Sequence, residues 1–101
     1  MANIFVVAQH ASEGRLILTV CDGNVHGKRF EDANAVLDLS SKFYSGGEKN
    51  AEETARLMEK AYVINAAGKE SVKIVIKAGL AEKEAVKTIK GVPHVQVLMS
   101  G

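Results

Sequence analysis

Cys21, Asp22 and His94 are the residues whose types could assemble a catalytic centre, because a hydrolytic or transferase site needs a nucleophile, a base and an orienting group in mutual reach. Each also has a plainer role. Cys21 ends an apolar, strand-like run and suits a small buried side chain, while a single cysteine has no intrachain disulfide partner and fits a reducing compartment. Asp22 stands before Gly23-Asn24, strong turn chemistry in which an aspartate commonly bonds nearby backbone amides. His94 follows Pro93 at the opening of a strand, where an imidazole is usually solvated or hydrogen-bonded. Metal binding has residue types without spacing: His10, His26, His94 and Cys21 form no Cys-x-x-Cys or His-x-x-x-His pair, so no metal or other cofactor is expected. Neither the glycine spacing of a dinucleotide fold nor a P-loop occurs, and Gly46-Gly47 runs into Glu48, which would repel phosphate.

Lysines give the stronger binding signal. Lys69, Lys73 and Lys77 recur every four residues and line one edge of a predicted helix, opposite an apolar stripe of Val72, Val75 and Ile76. Lys87 and Lys90 extend the patch if the segment after the helix lies alongside. Such a face suits RNA phosphates, with affinity that falls steeply as salt rises, although lysines on a solvated helix face need no ligand at all. Lys28-Arg29 adds little because Glu31 and Asp32 follow. The charge is divided unevenly: residues 1–68 hold seven basic and nine acidic residues, whereas 69–101 hold six and three. A net charge of +1 gives no attraction of the whole molecule to nucleic acid, so any basic face is local.

The elements that must position these groups are legible in part. Asn3 to His10 and Arg15 to Asp22 are β-branched runs separated by Ala11-Ser12-Glu13-Gly14, and read as an antiparallel hairpin whose second strand is central. Lys28 to Glu31 and Ala35 to Leu39 read as short strands. Ser40 to Asn50 reads as a loop anchored by Phe43-Tyr44. Asn50 and Glu53 stand at capping-box spacing, which starts a helix at Ala51. Leu57, Met58, Ala61, Tyr62 and Ile64 continue its apolar face, and the helix is expected to run to Gly68, carrying Asn65 near its end. Lys69 to Ala78 forms a second helix, closed by Gly79-Leu80 in a Schellman pattern and packed on the first as a corner or hairpin. Ala81 to Val86 adds a helical turn, and Val86 to Lys90 and His94 to Ser100 are extended. The expected fold is α+β: a two-layer sandwich, mainly antiparallel, with two helices packed on one face. The 101 residues, 47% hydrophobic and 25% charged, suit one domain over 1–101. Apolar runs are too short to span a bilayer and no signal peptide is recognisable, so a cytoplasmic location without membrane contact is expected.

Several stretches also resemble, in order along the chain, a family of small archaeal proteins known as domain of unknown function 424. They are Val20-Cys21-Asp22, Gly27-Lys28-Arg29-Phe30, Phe43-Tyr44-Ser45-Gly46-Gly47-Glu48, Asn65-Ala66-Ala67-Gly68, Ala78-Gly79-Leu80 and Gly91-Val92-Pro93-His94-Val95-Gln96. The resemblance implies an α+β domain and supplies no activity, substrate or catalytic residue. Composition and motifs together point to a non-enzymatic accessory protein that contacts RNA or a translation-linked ribonucleoprotein complex through Lys69, Lys73 and Lys77. The alternative is a small-molecule enzyme with its site near Cys21, Asp22 and His94.

Overall fold

A computed structural model describes residues 3–99. The chain opens with strands β1 (Phe5–Ser12) and β2 (Arg15–Asp22), paired antiparallel over their full length. Their two-residue turn holds Glu13 and Gly14 at φ 54° and 77°, a left-handed pair whose twist matches that of the strands it joins. The short strands β3 (Arg29–Glu31) and β4 (Val36–Asp38) follow as expected and form a separate two-stranded sheet. After a single turn of 3₁₀ helix at Lys42–Tyr44 comes β5 (Gly47–Lys49), an edge strand beside β1 within the segment expected to be a loop. Three residues broken by glycine carry too little pattern to read as a strand.

Helix α1 (Ala51–Lys60) begins with the expected capping box: the Glu53 amide donates to Asn50 Oδ1 at 2.8 Å, and the Asn50 amide donates to Glu53 Oε1 at 3.1 Å. Its end corrects the sequence reading. The helix stops before Ala61, which is extended, and Val63–Ala67 forms strand β6. β6 lies between β2, to which it runs parallel, and β8 (Val92–Leu98), to which it runs antiparallel. A five-residue strand enclosed on both edges can be rich in alanine, because its neighbours, and not its own propensity, supply the hydrogen bonds. The apolar spacing of Met58, Ala61 and Ile64 therefore ran across a real boundary. The two helices are accordingly separated by a strand and form no helical hairpin.

Helix α2 (Lys69–Lys77) closes as expected. The Gly79 amide bonds the Ile76 carbonyl at 3.0 Å and the Leu80 amide reaches Val75 at 3.1 Å, the two bonds of a Schellman cap. One turn of 3₁₀ helix at Lys83–Ala85 leads to β7 (Lys87–Ile89). β7 pairs with β8 through a second left-handed turn, Lys90-Gly91, at φ 53° and 80°. The last strand thus starts earlier than expected and includes Val92 and Pro93; Ser100 lies outside the described residues.

The result is an α+β fold whose six-stranded sheet has the order β5-β1-β2-β6-β8-β7 and is mixed, with β2–β6 its one parallel pairing among the described residues. Side chains alternate to two apolar clusters. Phe5, Val7, Leu18, Val20, Ile64, Ala66, Val95 and Val97 pack with Met58 of α1 and Val72 and Val75 of α2. From the other face Val6, Cys21, Ala67, Ile89 and Val92 pack with Leu37 and Leu39 around β4. A sheet with helices on one face alone was the expectation; here the small sheet covers part of the second face.

Candidate functional site

The parallel strands β2 and β6 end side by side at Asp22 and Gly68, beneath the N-terminus of α2. Such a helix start presents unpaired amides and a positive dipole end, the usual receptor for a phosphate. This chain fills the receptor with its own carboxylate. Asp22 accepts from the Glu70 amide at 3.0 Å, the Ser71 amide at 2.8 Å and the Ser71 hydroxyl at 2.6 Å. Both Asp22 and Ser71 are buried. Gly68 makes the arrangement possible, because its φ of 105° suits no L side chain and a Cβ there would overlap the Asp22 carboxyl group. Asp22 is thus a fastener joining strand β2 to helix α2. The turn bonds inferred for its neighbourhood are made by its backbone carbonyl, which accepts from Val25 and His26 at 3.1 Å each.

Neither of the other nominated residues shares its surroundings: Cys21, next to it in the strand, points to the opposite sheet face, and His94 borders another groove. Cys21 is buried in the second cluster, and burial together with the adjacent Asp22 charge pushes its thiol up to about 12. A buried, protonated thiol is a poor nucleophile. His94 borders a groove with Tyr44, Asn65, Lys87 and Gln96, whereas Asp22 borders a different one with Gly68 and Pro93. His10 stacks on Phe43 with ring centres 4.9 Å apart, and one of its ring nitrogens lies 3.0 Å from the Phe43 carbonyl. The buried Thr19 hydroxyl donates to the same carbonyl at 2.9 Å, so Phe43-Tyr44 is anchored as expected. Among the described residues no group of three or more His, Cys, Asp or Glu side chains is arranged to hold a metal ion.

The lysines of α2 do share a surface. Lys69, Lys73 and Lys77 rim a groove of about 450 Å³ whose floor is Val72, Ile76 and Val86. Two details differ from the sequence reading. Val72 and Ile76 border the lysines directly instead of facing away, because on a helix they sit within about one turn on the adjacent edge. Lys83, and not Lys87 or Lys90, completes the rim: the chain leaves α2, turns at Gly79 and returns past its outer side before β7 crosses to the far edge of the sheet. Lys87 faces the His94 groove and Lys90 occupies the β7–β8 turn. Among the described residues one ion pair involves the rim, and Glu82 and Glu84 flank Lys83. Glu70 Oε1 lies 3.5 Å from Lys73 Nζ and also accepts from the Asn3 side-chain amide at 3.3 Å. Arg29, by contrast, is paired with Glu31 at 3.4 Å, which bears out the dilution of charge read there. Lys83 and Val86 were missed as groove residues because nothing local says which way the nine-residue connection between α2 and β7 returns.

The fold and its surfaces define a small α+β domain with a lysine-rimmed apolar groove on the helical side and a polar groove on the open sheet face. Residues 10–99 match the family described as Protein of unknown function (DUF424), and the chain belongs to that family. It is similar to a solved structure described as the crystal structure of an uncharacterized conserved protein from Methanopyrus kandleri. The two share 27% sequence identity at a TM-score of 0.80, over 97% of this chain and 95% of that one. No curated protein matches the chain. No helix among the described residues is long and apolar enough to cross a membrane.

Proposed function

We propose that the protein is a non-enzymatic, cytoplasmic accessory protein that binds single-stranded RNA, free or within a translation-linked ribonucleoprotein complex, along the α2 groove. What carries this reading is the pairing of a four-lysine rim with an apolar floor on one exposed surface. A duplex presents phosphates and hides its base faces, whereas a single strand presents both, so phosphates meet Lys69, Lys73, Lys77 and Lys83 while unstacked bases rest on the half-buried Ile76 and Val86. The burial of Cys21 and the use of the Asp22 carboxylate in bonding α2 favour binding over catalysis.

Salt provides the test. Each lysine–phosphate contact on a single strand contributes about −0.7 to the slope of log affinity against log salt. Three to four contacts, with Lys73 shared by Glu70, give a slope of about −2.1 to −2.8, or an affinity loss of roughly 20- to 50-fold between about 50 and 200 mM salt. Fluorescence anisotropy with single-stranded and duplex RNA oligonucleotides measures it, and the combined variant Lys69→Glu, Lys73→Glu, Lys77→Glu removes it. Binding that ignores both salt and charge reversal, or that prefers duplex, refutes the reading.

A further inference from the structure

The sheet face away from the helices carries a row of polar side chains whose order is fixed by strand register. His94 and Gln96 are two residues apart on β8 and therefore share a face. Antiparallel pairing sets Gln96 opposite Asn65 of β6, and His94 opposite Lys87 of β7. Opposed residues hold their Cβ atoms about 5 Å apart, and the step from His94 to Gln96 is about 6.6 Å. An imidazole and an ammonium thus mark one end of a short array, and two carboxamides mark the other. Tyr44 walls the groove, which encloses about 440 Å³ and has no carboxylate among its lining residues. Among the described residues, none of these five polar side chains takes part in a side-chain hydrogen bond. Their hydrogen-bonding capacity is available to a ligand.

The chemistry is directional. Lys87 and His94 together suit an anionic oxygen, while Asn65 and Gln96 each offer a donor and an acceptor in one plane, the pattern presented by a nucleobase edge. The volume is that of a small-ligand pocket, and the Lys87 stem lengthens the array toward a ligand charged at one end and planar at the other. We propose that this groove is a mononucleotide site, with the phosphate held by Lys87 and His94 and the base edge read by Asn65 and Gln96 beside Tyr44. It lies on the opposite side of the sheet from the α2 groove and does not depend on the RNA reading.

The imidazole reports occupancy. Desolvation, and then the Lys87 charge, hold His94 below its ordinary value of 6.5. The titratable groups facing it across the groove are Lys87 of β7 and Tyr44 of the 3₁₀ turn. A bound phosphate opposes the Lys87 charge and draws the imidazole upward. The experiment follows the His94 ring signals of the whole chain by NMR against pH, alone and with each of the four 5′-ribonucleoside monophosphates or inorganic phosphate at millimolar concentration. The expected result is a raised His94 midpoint with at least one nucleotide, and affinity about tenfold weaker or worse in Lys87→Gln and Gln96→Ala. Both substituted positions are exposed, so the variants are expected to fold. No response to any nucleotide, inorganic phosphate acting as strongly as every nucleotide, or unchanged affinity in both variants overturns the proposal. RNA titrations of the same variants read the α2 groove separately, so that failure there bears on the RNA reading alone.

Discussion

Replacing Asp22 by alanine removes a buried carboxylate from three donors at once, and the cost can be worked from its partners. The Glu70 and Ser71 amides lose their cap, a loss worth about 1–2 kcal/mol at a helix start. The Ser71 hydroxyl, fully buried, loses its acceptor, and an orphaned buried donor costs about 1–2 kcal/mol more. The sum is about 2–4 kcal/mol, a large share of the roughly 5–15 kcal/mol that holds a domain of this size together. At about 4–8 °C per kcal/mol, a loss near 3 kcal/mol lowers the melting temperature by roughly 10–25 °C. Asp22→Asn keeps one carbonyl acceptor of the same shape and is expected to lose less than half as much. Urea unfolding of the two variants gives the energies. Amide hydrogen exchange at Glu70 and Ser71 shows whether the loss is centred on the start of α2. An alanine variant within about 0.5 kcal/mol of the parent, or an asparagine variant as damaged as the alanine one, refutes the account of Asp22 as the fastener of β2 to α2.

The thiol and the imidazole give two further predictions. With its thiol pushed up to about 12, Cys21 is thiolate at pH 8 in only roughly one molecule in ten thousand, and it is buried. A disulfide reagent is therefore expected to label it at the rate of unfolding and no faster; immediate labelling of the native chain would show an accessible thiol. The folded-state depression of His94 means that the unfolded chain takes up the proton first as pH falls. Its contribution to stability is complete above about 6.5 and is lost as pH drops below that value toward the folded-state pKa. His94→Gln is expected to flatten that part of the stability profile in urea titrations, and an unchanged profile in the variant would contradict it.

The signals that worked in this sequence act over a few residues. Glu13-Gly14, the Asn50/Glu53 box and Gly79-Leu80 each fix backbone conformation within one turn, so the first hairpin, the start of α1 and the end of α2 were all legible. The ordered motifs likewise sufficed to identify the family. The lysines at 69, 73 and 77 fell on one edge because helical spacing alone puts them there.

Tertiary contacts decided the rest. Val63–Ala67 is a strand because β2 and β8 supply its edges from both sides, and its own alanines leave that choice open. Until β6 was a strand, Asn65 could not be set beside Gln96, and the polar sheet face had no outline. Cys21 and Asp22 were correctly found at the end of a strand. The carboxylate's partners, however, stand 48 and 49 residues away, brought close by a parallel crossover that local patterns do not encode. Sequence supplied the reactive types at Cys21, Asp22 and His94. Packing buried the first, tied the second to α2 and turned the third toward Lys87, because burial and partnership are properties of the assembled sheet and not of any segment within it.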